Sequence, residues 1–220
     1  MNESALHYLP FILSGIVNTI KVTAGGALVA LVVAFVFGLA RLSSSAVIRG
    51  VAALYIEFFR GTSVFVQLFW VYFVLPVFGL SLSPLIAGIV VLGMNVGAYA
   101  SEVVRGAILA VPVEQREACV ALNLTTWQRM RHVISPQALL IMLPTLGNNS
   151  IELRKGSSIV SIISFPELTF YAQVVRTQTG NTTIPFITIL IIYFIMSITI
   201  SKIFRLIESR MSRYLHVKFG

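Results

Sequence analysis

Four stretches of this 220-residue chain contain no Asp, Glu, Lys or Arg: 22–40, 61–101, 133–151 and 177–201. No other feature narrows the possible fold so far. A helix needs ~20 consecutive apolar residues to cross the hydrocarbon core of a bilayer. Each stretch meets that length or nearly so, and 61–101 is long enough for two crossings, with Pro76, Gly79 and Pro84 marking a turn inside it. The pattern predicts five spans, at about 17–40, 62–80, 84–104, 136–154 and 184–205, in one domain covering 1–220. Composition agrees: 57% of residues are hydrophobic and 11% charged, against roughly 25% charged in soluble domains. The chain reads as an all-α integral membrane protein.

The opening MNESALHYLPFILSGIVNTI has neither a basic n-region nor a small-residue cleavage site, so the first span is expected to stay in the protein. With the N-terminus outside and the C-terminus cytoplasmic, five crossings put Arg41, Arg49, Arg105, Arg116, Arg129, Arg131, Arg205, Arg210, Arg213 and Lys218 inside. Mainly Lys155 and Arg176 stay outside, as the positive-inside rule asks. That asymmetry, with anionic lipid as the partner, accounts for the net charge of +8. No basic run with interleaved aromatics points to nucleic acid. The single Cys119 permits no internal disulfide and is expected to be a partly buried small hydrophobe without a redox role.

The first span repeats a small residue every four positions, Gly26, Ala30, Ala34 and Gly38, and the third carries Gly93, Gly97 and Ser101 on one face. Small residues let membrane helices approach closely, so these faces predict helix packing. Asn95, near the middle of the third span, suits either packing or a water-filled path, since an amide in hydrocarbon must find a partner. Span four has Pro136, Pro144 and Gly147, then Asn148, Asn149, Glu152, Arg154 and Lys155. Broken backbone with ionisable groups at membrane depth marks a solute path; an early exit from the bilayer near Asn148 accounts for the same residues equally well. Residues 156–183 predict an amphipathic outer-face segment turning at Gly180, and the run from Ser157 to Phe165 could instead dip back into the membrane.

Between spans three and four lies EQREACVALNLTTWQRMRHVISP, a charged island at 114–136. Pro112 suits a first helical turn with Glu114 and Glu117 near its positive end, and Asn123 tolerates the left-handed conformation that ends a helix. Thr125 and Gln128 then form a capping box for a second helix, on which Trp127, Met130 and Ile134 share a face. The segment, about 110–135, exceeds the ~12–15 residues at which structureless loops become uncommon. It is expected to be a helix, a turn and a helix that dock to something in the cytoplasm, with a plain solvated connection as the competing reading.

Glu117-Ala118-Cys119, Asn123, then Val133, Ser135 and Pro136 resemble the EAA loop of binding-protein-dependent ABC importer permeases, whose pattern is Glu-Ala-Ala, three residues, Gly, nine residues, Ile, one residue, Leu-Pro. Cys119, Asn123 and Ser135 depart from it. The likeness extends to Tyr55-Ile56-Glu57-Phe58-Phe59-Arg60-Gly61-Thr62 with Val66-Gln67-Leu68-Phe69, to Gly97-Ala98-Tyr99-Ala100-Ser101-Glu102-Val103-Val104-Arg105-Gly106, and to Pro136-Gln137-Ala138, Pro144, Asn148, Lys155, Ser158 and Glu167-Leu168. These are similar to the polar amino-acid subfamily; Ser63 stands where that subfamily has Pro, and Glu152, Arg154 and Gly156 also depart.

The resemblance implies the type I importer permease fold: five transmembrane helices and a cytoplasmic helix-turn-helix coupling loop in the bacterial cytoplasmic membrane. It implies two cytoplasmic ATPase subunits that carry the ATP and Mg, a second permease subunit, and a periplasmic or lipid-anchored solute-binding protein. Glu117, Ala118, Cys119, Asn123, Trp127 and Pro136 are then the ATPase-coupling residues. Trp127 and Met130 would touch the ATPase or else pack the two loop helices together, the latter being preferred for Trp127. Asn95, Asn148, Glu152, Lys155 and Ser158 are the substrate-path candidates. The implied solute is small and polar or zwitterionic: an amino acid, or a compatible solute such as ectoine or hydroxyectoine. A heterodimer is expected, because Glu152 and Arg154 would be doubled across a two-fold axis.

No G-x-x-x-x-G-K-[ST] phosphate loop occurs, so nucleotide is expected on other subunits and no cofactor in this chain. An intramembrane enzyme is the main alternative, weakened by the wide separation of His7, His132 and His216 and by the lack of any Asp. A membrane scaffold without transport is the other.

Overall fold

The computed structural model describes residues 8–219, with side chains to residue 213. His7, His216, Lys218 and the reading of the first seven residues lie outside the described side chains. Among the described residues the regular structure is all helical. Helix α1 (Leu9–Leu13) runs almost directly into α2 (Gly15–Ala40); α3 spans Ala46–Gly61 and α4 Val64–Phe69. A π turn, Trp70–Val74, and a 3₁₀ turn, Leu75–Phe78, prolong α4. Then come α5 (Pro84–Leu109), α6 (Val113–Ala121) and α7 (Thr126–Arg129). Through a π turn, Met130–Ile134, α7 enters α8 (Ser135–Gly156), followed by a 3₁₀ turn, Ser157–Ile163. The last helices are α9 (Leu168–Thr179) and α10 (Thr183–Phe219). Three helical stretches, α1–α2, α5 and α10 as far as Arg213, are long and apolar enough to cross a membrane, and two bent pairs raise the number to as many as five.

The two small-residue faces meet. Thr19, Val22, Gly26, Ala30, Ala34 and Gly38 form the buried stripe of α2. A Cβ on Gly93 would lie 2.6 Å from Val29 Cβ, one on Gly97 2.6 Å from Val33 Cγ1, and one on Gly38 2.7 Å from the Ser101 carbonyl oxygen. Ser101 is fully buried and donates its hydroxyl to the Gly97 carbonyl at 2.7 Å. Contact this close maximises dispersion where lipid supplies no hydrophobic drive. Beyond this pair, Leu153 of α8 packs on Gly26, and Phe204 of α10 on Gly147.

Within the span expected at 62–80 runs a helix, Val64–Phe78, that forms one arm of a bent pair with α3. The helix from Val64 to Phe78 meets α3 at 101°, and alone it is short for a ~30 Å hydrocarbon core. The break leaves the carbonyls at the end of α3 without helical partners. Side-chain amides supply them: Gln67 Nε2 donates to the Phe59 carbonyl at 3.1 Å and to Thr62 Oγ1 at 2.6 Å, while Asn95 Nδ2 donates to the same Phe59 carbonyl at 2.9 Å and to Gln67 Oε1 at 3.2 Å. Gln67→Leu is expected to lower the stability of the solubilised protein by about 1–3 kcal/mol, because it orphans buried polar groups. Thermal unfolding beside Thr62→Val checks this; an unchanged midpoint for Gln67→Leu contradicts the clasp.

Span four is less broken than its prolines suggest. Pro136 sits in the first turn of α8, where its missing N–H costs nothing, and α8 continues through Pro144, Gly147 and Asn148 to Gly156. The irregular backbone lies at the two ends, in the π turn 130–134 and the 3₁₀ turn 157–163. The latter is packed, with Ser157, Val160, Ser161 and Ile163 buried and Val160 against Gly88. Ser164 at φ 60° closes it. First-span residues clasp the following turn: Asn18 donates to the Pro166 carbonyl at 2.8 Å, and Thr19 Oγ1 accepts from Leu168 N at 3.3 Å.

Candidate functional site

The charged island folds as two short helices joined by one tight turn. Asn123 has φ 53°, Leu124 N donates to the Cys119 carbonyl at 3.0 Å, and Asn123 N to that of Val120 at 2.9 Å. This is the paired hydrogen bonding of a Schellman cap, with Asn in the left-handed place. Thr125 then accepts from Gln128 N, and Gln128 Oε1 accepts from Thr125 N at 2.9 Å, completing the capping box. Local side-chain chemistry thus fixes the angle between α6 and α7.

One face of α6 is anchored and the other is open. Cys119 is 3% exposed, and Arg116 donates to the Ile108 carbonyl at the end of α5 at 2.5 Å. Val113, Glu117 and Val120, spaced i, i+4, i+7, lie on the outward face, with Leu122 and Trp127 beside them; all five are exposed. Ala118 is exposed too, and Pro136 is half-buried at the start of α8. Trp127 is 67% exposed, so it does not pack the loop helices together as the sequence reading preferred; Met130 fills that inner role against the core. Val113, Val120 and Leu122 went unnoticed in the sequence, although their spacing around Glu117 was legible. Large apolar side chains are thus held outward on a fixed charged helix.

Along α8 a second face stands open. Asn148, Glu152 and Lys155 share one helical face and are exposed, with Thr145 continuing it toward the middle of the helix. Glu152 and Lys155 pair at 2.8 Å, and Ser158 donates to the Lys155 carbonyl at 2.9 Å. Asn95 lies apart from this stripe, its amide spent on the α3–α4 bend. Arg154 turns the opposite way. It is 4% exposed, donates to Ser197 Oγ and stacks 5.1 Å over the Tyr193 ring. The like-charge reason for expecting a heterodimer therefore falls: Arg154 points into its own bundle, and Glu152 is neutralised by Lys155.

Tyr193 connects that arginine to the turn beyond span four, donating to Glu167 Oε2 at 2.6 Å. Glu167 is fully buried and caps α9 by accepting from Phe170 N at 3.0 Å.

Between α2, α5, α8 and α10 lies an apolar crevice of about 760 Å³, walled by residues such as Ala27, Phe35, Leu143, Thr199 and Ile203. None of the substrate-path candidates lines it. Asn149 does, and its Nδ2 is buried without a partner among the described residues.

Residues 26–213 match the family model described as binding-protein-dependent transport system inner membrane component. The "Probable amino-acid ABC transporter permease protein y4tF" of Sinorhizobium fredii is 41% identical over 202 residues, covering 89% of this chain and 85% of the relative. The "Glutamine transport system permease protein GlnP" of Escherichia coli is 34% identical, covering 92% of this chain and 94% of the relative. A solved structure described as an amino acid ABC transporter with histidines superposes with a TM-score of 0.88 at 39% identity, over 94% of this chain and 97% of that one. The MetNI methionine ABC transporter, inward facing, shares the fold with a TM-score of 0.79 at 21% identity, over 96% of this chain and 99% of that one.

Proposed function

The chain belongs to the family of binding-protein-dependent transport system inner membrane components, and on that premise we propose that it is a permease subunit importing an amino acid. In this reading ATP and Mg act on two partner ATPase subunits, and a solute-binding protein delivers the cargo from outside. The observation that carries it is the outward face of Val113, Glu117 and Val120 on α6, anchored to the end of α5 through Arg116. A surface both apolar and rigidly joined to a membrane helix is what a moving motor needs in order to push on a transport path.

The N-terminus faces outward and the loop faces the cytoplasm, by the distribution of Arg and Lys. Solute passes along the α8 face bearing Asn148, Glu152 and Lys155, with Ser158 at its end, because a polar stripe is costly against lipid and is satisfied by a water-filled path beside a second permease subunit. Asn95 serves that path indirectly, by holding the α3–α4 bend. A paired acid and base along the stripe suits a zwitterion, so amino acids lead and ectoine-type solutes remain within the chemistry. Proteoliposomes holding this chain, its ATPase partner and its binding protein test the proposal. Labelled amino acid is expected inside only when ATP and binding protein are both present. Accumulation of ectoine alone overturns the amino-acid assignment, and ATP-independent uptake overturns the importer reading.

A further inference from the structure

We infer that the crevice between α2 and α10 is a binding site for an anionic phospholipid, with an acyl chain in the crevice and the phosphate on Arg210. The inference rests on the bilayer setting of the proposed function and on nothing about the solute. Along α10 the residues Met196, Thr199, Ile203 and Ile207 face the crevice, and the next position on that stripe, three beyond Ile207, is Arg210. Helix α10 has 37 residues, well beyond the ~20 needed to cross, so its last turns leave the hydrocarbon and Arg210 comes to the headgroup level. It is exposed and makes no hydrogen bond or ion pair among the described residues. On α2 the wall runs from Ile20 to Phe35, about 22 Å along the helix axis, a length that suits an extended hydrocarbon chain. Its lining hydroxyls, Thr23, Ser150 and Thr199, are spent on carbonyls of their own helices and the Asn149 amide alone is left without a partner among the described lining residues, so a polar solute would lose its hydration shell there with little replacement, while an acyl chain has none to lose. A cation placed where the apolar stripe ends supplies the charge complement to phosphate.

The test uses the full chain purified in mild detergent, delipidated, then titrated with phosphatidylglycerol or phosphatidylcholine of identical chains carrying a photoreactive acyl tail. Bound lipid is counted by native mass spectrometry and the crosslinked peptides are mapped. Phosphatidylglycerol is expected to crosslink to the α10 stripe and the facing side of α2, and Arg210→Gln to reduce its affinity roughly fivefold without altering phosphatidylcholine. Thr199→Phe is expected to fill the crevice and abolish the tail crosslink; should that variant not fold, Ala27→Leu on the opposite wall replaces it. Equal binding of the two lipids, crosslinks unaffected by filling, or crosslinks from the crevice to a second copy of the chain each overturn the site.

Discussion

Gly97→Val is expected to prevent this protein from accumulating in folded, monodisperse form. A Cβ at that position already lies 2.6 Å and 2.7 Å from atoms of Val33 and 3.2 Å from the Ala30 Cα. The last of these is backbone, so a side-chain rotation cannot make room. Overpacking a well-filled interior costs about 1–3 kcal/mol, and here it separates α2 from α5 along their contact, releasing the hydrogen bond from Ser101 to the Val33 carbonyl and the neighbouring Gly93 seat as well. Against a total stability of about 5–15 kcal/mol that is a large fraction. Gly106→Val is the control: it lies on the same helix with nothing within 4 Å of its Cβ, and it should leave stability unchanged or slightly raised, since Gly is a poorer helix former than Val. Size-exclusion profile and melting temperature decide the matter. Equal behaviour of the two variants contradicts the account of the α2–α5 seam.

Glu117→Lys should leave the permease folded and cut solute-stimulated ATP hydrolysis of the reconstituted complex by more than tenfold. Its carboxylate is exposed and has no partner among the described residues, so nothing in this chain depends on it. Reversing a charge inside an interface costs about 2–5 kcal/mol, which is at least a tenfold loss of docking. Val120→Asp, on the same face, should act alike, whereas substitution of exposed Arg176 on α9 should not impair ATPase docking. Unchanged hydrolysis and uptake by Glu117→Lys contradict the coupling role.

The parts of the fold that were legible in the sequence are those set by local or strictly periodic chemistry. Small residues every four positions gave the α2–α5 seam because only close backbone approach makes use of them. Asn123, Thr125 and Gln128 gave the turn because capping involves neighbours in sequence. Helix α3 escaped notice because Arg49, Glu57 and Arg60 interrupt its apolar residues, which makes an amphipathic helix look like a loop between spans. Pro144 reads as a break because it removes a backbone donor, whereas α8 continues through it to Gly156. Arg154 was grouped with Glu152 and Lys155 by proximity, though two residues along a helix is a rotation of 200°; helical spacing assigns it to the buried side with Gly147. The crevice depends on how far α10 stands from α2, which no local pattern encodes.

The proposed function turns on contact between the outward face of α6 and a cytoplasmic ATPase. A Val120→Cys substitution in a Cys119→Ala background, carried in membranes with the partner subunits and treated with a thiol crosslinker, measures it directly. The expected result is a crosslink between position 120 and the ATPase subunit whose yield changes when ATP is bound. Modification of position 120 by an impermeant thiol reagent added from outside intact cells, with no crosslink to the ATPase, would contradict it.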